Sequence, residues 1–105
     1  MTRRAVALAL LLAGIAPAAP ARAQNSVEQG QRDFMSNGCY GCHTVGKMGT
    51  PIGPDLSKVG SKYPRTYLER WLRDPSAQRP SAHMPTLELS PQQVQDLAAF
   101  LSSLR

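Results

Sequence analysis

Five consecutive residues, Cys39-Tyr40-Gly41-Cys42-His43, constrain this chain more than anything else in it. They read Cys-x-x-Cys-His, and they contain the only 2 cysteines among 105 residues. The spacing is that of c-type haem attachment. Two thiols on one turn of backbone reach both vinyl groups along one porphyrin edge and add across them as thioethers. The imidazole that follows falls under the ring, where it can bind iron as the proximal ligand. Tyr40 and Gly41 are spacers, and Gly41 lets the backbone pass close to the ring. Cys-x-x-Cys alone also fits a disulfide, a thioredoxin-like redox pair or half a zinc site. A thioredoxin pair belongs beside a strand-helix-strand pattern, which is missing. Cys39, Cys42, His43 and His83 would make up a zinc donor set. Adjacent Cys42 and His43, however, point their side chains in different directions, which suits one tetrahedral ion poorly.

The N-terminus is of another kind. Arg3 and Arg4 open a twelve-residue apolar run from Ala5 to Ala16, and Pro17 and Pro20 break it. Ala21-Arg22-Ala23 then offers small residues at the two positions a signal peptidase reads. This is the pattern of a secretory signal peptide. The run is short for a membrane-spanning helix, which needs about 20 residues. The expectation is a cleaved signal over residues 1–23, export to the periplasm, and one domain over residues 24–105 with no stable membrane insertion after cleavage. Haem c is attached after export, so an unfolded-chain route suits better than a twin-arginine one. The 82 residues left make a marginal core by themselves, and a covalent haem would supply the missing apolar centre.

Net charge changes meaning with the cleavage. The whole chain carries +5, but Arg3, Arg4 and Arg22 leave with the signal, so nine basic residues face seven acidic ones and the domain carries +2. That balance gives no support for nucleic-acid binding. Steering by net charge is expected to be modest.

Along the domain the periodic segments are helical, joined by loops. A first helix can start at Asn25 or Ser26, whose short polar side chains cap free N–H groups. Glu28 suits its dipole. Val27, Gly30, Gln31 and Phe34 share one side, with Gly30 permitting close approach of another element. Asn37-Gly38 ends it. Thr44 to Thr50 is a Gly-rich loop. Pro51-Ile52-Gly53-Pro54-Asp55-Leu56 is stiff and extended, able to lie along the haem edge and present a carbonyl to His43. A haem-ligating histidine wants its second ring nitrogen hydrogen-bonded, and the Pro54 carbonyl is the candidate acceptor. Pro64 to Arg73 reads as a second helix, with Tyr67, Leu68, Trp71 and Leu72 on its apolar side. The polar tips of Trp71, Tyr63 and Tyr67 want partners when buried, and a haem propionate or a backbone group would serve. Asp74 to Pro85 reads as irregular. The last helix is the clearest. Ser90-Pro91-Gln92-Gln93 is a capping box with proline at the first position, and Leu89 and Val94 stand where a hydrophobic staple would join. Val94, Leu97, Ala98, Leu101 and Leu104 form its stripe, with Phe100 beside it. No strand signal is found.

Met84 lies in a stiff, proline-bounded loop 41 residues after His43, far enough for the chain to wrap the ring and close its opposite face. It is the favoured distal ligand. His83 is its rival, Met48 would have to pass round the ring edge, and Met35 suits packing.

With these landmarks in order, residues 24–105 resemble a small bacterial class I cytochrome c. In that family a glycine-aromatic pair on the first helix crosses a leucine-aromatic pair on the last; Gly30 and Phe34 match the first, Leu97 and Phe100 the second. Gly53-Pro54-Asp55-Leu56 resembles the segment whose proline carbonyl holds the proximal histidine, and Met84-Pro85 resembles the distal methionine. The resemblance implies an all-α, cytochrome c-like fold of about three main helices wrapped around one covalently attached haem c. Cys39 and Cys42 would carry the thioethers, with His43 and Met84 on the iron. The family's ring of lysines is not matched, since Lys47, Lys58 and Lys62 are the only lysines.

A thioether ligand opposite histidine raises the potential and leaves no open coordination position. The function expected is therefore a monomeric periplasmic carrier passing single electrons between a transient redox donor and acceptor, with no catalysis of its own. Alternatives are a haem-c subunit of a larger periplasmic dehydrogenase or oxidase, a ligand-binding haem sensor if Met84 is displaced, and a dithiol or zinc domain.

Overall fold

The computed structural model describes residues 18–105, and Ala7 and Gly14 before them. The signal-peptide reading rests mostly on residues outside this range. Helix α1 spans Ala18–Ser36, β1 Thr44–Val45, β2 Met48–Gly49, α2 Val59–Lys62, α3 Arg65–Arg73, α4 Pro75–Gln78 and α5 Pro91–Ser103, with one 3-10 turn at Cys39–Gly41. The fold is all-α. Three helices are long and two are single turns.

Helix α1 starts earlier than expected. Asn25 and Ser26 lie inside it and cap nothing, because the alanine-rich stretch before them has high helix propensity and continues the helix. Burial nonetheless begins only at Ser26 and Val27, and Ala21 to Asn25 are exposed. The helix ends as expected. Gly38 takes φ 74°, a left-handed value that favours glycine, and its N–H reaches the Met35 carbonyl at 3.1 Å.

The core lies where α1 crosses α5. A Cβ on Gly30 would overlap the Asp96 carbonyl of α5 and lie 2.7 Å from Phe100 Cβ, so only glycine permits this approach. Phe34 is 2 % exposed and Leu97 0 %, and the Phe34 and Phe100 rings meet edge to face at 5.5 Å. Burying a side chain of this size contributes about 2–3 kcal/mol. The expected stripe of α5 is buried, with Val94, Leu97, Ala98, Phe100 and Leu101 inside and Leu104 packed at the edge. Its capping box has both arms: the Gln93 N–H donates to Ser90 Oγ at 3.1 Å, and the Ser90 N–H to Gln93 Oε1 at 2.9 Å.

Helix α3 lays Leu68 and Leu72 on the same core and leaves Tyr67 and Trp71 half-buried. Pro64 stands one place outside its first turn, as the N-cap. Three further details differ from expectation. Met48–Gly49 pairs antiparallel with Thr44–Val45, because Gly46 at φ 60° supplies the turn that a two-residue hairpin needs. Two-residue strands are too short to leave an alternating pattern. Val59–Lys62 forms a helical turn seated on α5, with the Gly60 N–H on the Leu104 carbonyl at 2.8 Å. Within the stretch expected to be irregular, Pro75–Gln78 is helical, started by Pro75 and by the Asp74 carboxylate, which accepts from the Ala77 N–H.

Candidate functional site

The turn at Cys39–Gly41 hands the chain directly into the site. The N–H groups of Cys42 and His43 both return to the Cys39 carbonyl, at 3.2 and 2.9 Å. This brings Cys39, Cys42 and His43 to one wall of a cavity of about 560 Å³. Leu56, Val59, Leu68 and Leu97 make much of its surface apolar, and Trp71 and Met84 line it as well. The cavity thus joins all four candidate site residues.

His43 is held by the segment that follows the hairpin. Its Nδ1 lies 2.7 Å from the Pro54 carbonyl, the acceptor expected from the sequence. A carbonyl can only accept, so Nδ1 carries a proton, and in the neutral ring this leaves the Nε2 lone pair for a ligand. The Gly53 N–H donates to the Cys42 carbonyl at 2.5 Å, and the Leu56 N–H to the Thr44 carbonyl at 2.8 Å. A Cβ on Gly53 would lie 2.9 Å from His43 Cε1, so this glycine lets the segment press on the ring. Gly41 differs: a Cβ there would meet nothing within 4 Å, and protein packing does not account for it.

Met84 is half-buried, and Trp71 Nε1–H donates to its sulfur at 3.2 Å. The sequence suggests a propionate or a backbone group as partner for that indole proton. The acceptor is instead a thioether 13 residues along the chain, on the loop that follows α4. His83 lines the same cavity but is exposed. Met35 and Met48 are 61 % and 55 % exposed and lie outside the cavity wall.

Sequence reasoning missed several residues. Lys62 and Arg79 bring positive charge to the cavity wall. Tyr63 and Tyr67, whose polar tips the sequence already marked as wanting partners, line the same cavity and stack at 4.8 Å, with the Arg70 guanidinium 5.9 Å from the Tyr67 ring centre. Asp55 accepts from Thr44 and Ser57. The Ser57 hydroxyl, the Ser57 N–H and the Thr44 hydroxyl hold the Asp55 carboxyl below its ordinary value. The Thr44–Asp55 bond joins segments eleven residues apart, and no spacing in the sequence announces it.

The thiol and zinc readings fare poorly. Burial pushes the Cys39 thiol up, against a smaller lowering by a backbone hydrogen bond. A reactive dithiol needs the opposite shift. Among the described residues no group of three or more His, Cys, Asp or Glu is arranged to hold a metal ion.

Comparison with known sequences agrees with the haem reading. The cytochrome c family profile matches residues 27–105. The chain belongs to the cytochrome c family. It is 35% identical over 86 residues to cytochrome c oxidase subunit 2 of Alkalihalophilus pseudofirmus, covering 73% of this chain and 25% of that protein. It is 32% identical over 82 residues to a nitric oxide reductase subunit of Stutzerimonas stutzeri, covering 72% of this chain and 56% of that protein. The chain thus spans from a quarter to about half of the length of these relatives. A cytochrome c domain binds haem c covalently and serves haem-based electron transfer, and Cys39 and Cys42 are in keeping with that attachment. The apolar cavity, the two thiols lining it, the His43 ring held through Nδ1 and the cations Lys62 and Arg79 fit a haem with its two propionates.

Proposed function

We propose that this cytochrome c domain is a periplasmic carrier of single electrons, with His43 and Met84 as the axial ligands of one haem held through Cys39 and Cys42. One observation carries the reading: His43, oriented by the Pro54 carbonyl, and Met84, held by Trp71, line the same apolar cavity. Haem c, when bound, supplies exchange of one electron between ferrous and ferric iron. The chain's part is to set the terms of that exchange. The Pro54 carbonyl fixes the His43 tautomer and raises the basicity of its other ring nitrogen. The Met84 thioether favours the reduced state. Leu56, Val59, Leu68 and Leu97 exclude water and disfavour added positive charge. Two protein ligands leave no position for a substrate, so the reading assigns the chain no catalysis of its own.

A second reading, a permanent haem subunit of a larger periplasmic enzyme, is supported by the names of both relatives, which are subunits of an oxidase and a reductase. It leaves the ligands unchanged. Stoichiometric co-purification of a partner from periplasm favours it; a monomer alone favours the free carrier. Among the described residues no helix is long and apolar enough to cross a membrane.

Met84→Ala tests the ligand assignment. The variant is expected to lose the weak sulfur-to-iron band of the oxidised spectrum, to drop in potential and to bind carbon monoxide when reduced, while His83→Ala stays like the parent. A Met84→Ala protein with the parent's spectrum and potential would exclude Met84, and the loss of these features in His83→Ala would move the assignment to His83. Met84 displaced in the parent itself would favour a ligand-binding sensor.

A further inference from the structure

We propose that Asp55 is a positioning residue for His43: its carboxylate clamps the Pro54 segment to the chain just beyond His43 and so holds the Pro54 carbonyl on the ring. This rests on the reading of His43 as an iron ligand. Three donors converge on Asp55 Oδ1: the Thr44 hydroxyl at 3.0 Å, the Ser57 hydroxyl at 2.7 Å and the Ser57 N–H at 3.1 Å. The Ser57 hydroxyl oxygen in turn accepts the Gly46 N–H at 2.7 Å. The segment is thereby tied to Thr44 and Gly46 on the hairpin side, and to Cys42 through the Gly53 N–H. His43 stands between Cys42 and Thr44 in the chain, and its ring bonds Pro54, which stands between Gly53 and Asp55.

The segment needs such a clamp. Pro51 and Pro54 have no N–H to give, and residues 50–57 belong to neither helix nor strand. Its backbone is tied before Pro54 by the Gly53 N–H to Cys42 and after it by the Leu56 N–H to Thr44, and Asp55 adds side-chain ties between these two points. Thr44 is the residue after His43, so a tie at Thr44 fixes ring and acceptor together. A slack clamp lets the Pro54 carbonyl move off Nδ1. The imidazole then loses basicity towards iron, and the ferric state loses its support. Asp55 bonds Thr44 and Ser57, with no hydrogen bond to His43 or Met84; it acts through Pro54 and Thr44.

The test uses the haem-loaded protein and three variants. Asp55→Ala removes acceptor and charge. Asp55→Asn keeps an acceptor oxygen without the charge. Thr44→Val keeps the charge and removes one donor, and it serves if Asp55→Ala does not fold. Two readouts are taken: the reduction potential, and hydrogen exchange of the His43 ring N–H in the reduced state. The expected result is a raised potential and about tenfold faster exchange in Asp55→Ala and Thr44→Val, the order of effect of one lost hydrogen bond on local opening. Asp55→Asn should exchange near the parent rate. Equal shifts in potential for Asp55→Ala and Asp55→Asn, with exchange unchanged and Thr44→Val like the parent, would overturn the clamp and leave Asp55 acting by charge alone. The ligand reading fails separately. A His43→Ala protein with the parent's spectrum overturns both, whereas failure of the clamp leaves a spectrum that still depends on His43.

Discussion

At His43 one carbonyl decides which ring nitrogen is free. The Pro54 bond and the close approach of Gly53 act on the same ring, so Gly53 is a sensitive position. Gly53→Ala places a methyl 2.9 Å from His43 Cε1 and 3.1 Å from the Cys42 carbonyl. We expect the ring to tilt and the Pro54 bond to lengthen, with a raised potential at unchanged haem content; titration against redox mediators checks it. Asp55 gives a pH prediction. Its folded pKa is lowered by the Ser57 and Thr44 donors, with a smaller part from Lys62. A carboxyl that ionises more readily folded than unfolded stabilises the fold when charged. Its contribution is therefore present above the ordinary carboxylate value and is lost as pH falls through the lowered one. Because Asp55 is exposed, the effect is small. Denaturation of the parent and of Asp55→Asn should converge as pH falls from about 6 to about 2. The Pro54 acceptor is legible in the sequence because two prolines force an extended segment with a carbonyl to spare. The Asp55 clamp is not, since a carboxylate and a hydroxyl eleven positions apart leave no periodic trace. The Trp71 partner escapes prediction for a related reason: an indole N–H takes whichever acceptor the fold brings near.

Helix α1 and helix α5 meet because one offers a residue with no side chain and the other a ring. Gly30→Ala would drive a methyl into the Asp96 carbonyl, and backbone cannot yield as a side chain can. A loss of about 3 kcal/mol is expected, at the upper end of overpacking costs, and chemical denaturation of the haem-loaded protein measures it. A loss near zero would mean that the helices can separate freely at this point. The crossing and the capping box of α5 are readable, since both are local spacings on one helix. The start of α1 is harder to place because two rules compete there: Asn25 and Ser26 favour a cap, but alanines before them favour continuation. The hairpin and the single turns α2 and α4 escape because each spans only about one period of the pattern that would betray it, so nothing repeats.

For the molecule as a whole, core and cavity share residues: Phe34, Leu68, Leu72 and Leu97 belong to both. Residues 24–105 number 82, few for an independent core. The haem is therefore expected to complete the fold as well as to carry the electron. Cys39→Ser with Cys42→Ser, made in a host that attaches haem, should keep helix by far-ultraviolet dichroism and lose fixed aromatic signals from Tyr67 and Trp71. A fully cooperative fold in that variant would show that the protein core suffices alone. The central claim is one haem c held between His43 and Met84, and the visible spectrum of the parent protein, oxidised and then reduced, tests it most directly. A haem c spectrum whose oxidised form shows the weak long-wavelength band of sulfur bound to iron is the result predicted. Haem c without that band would contradict Met84 ligation, and a protein without covalent haem would contradict the account at its root.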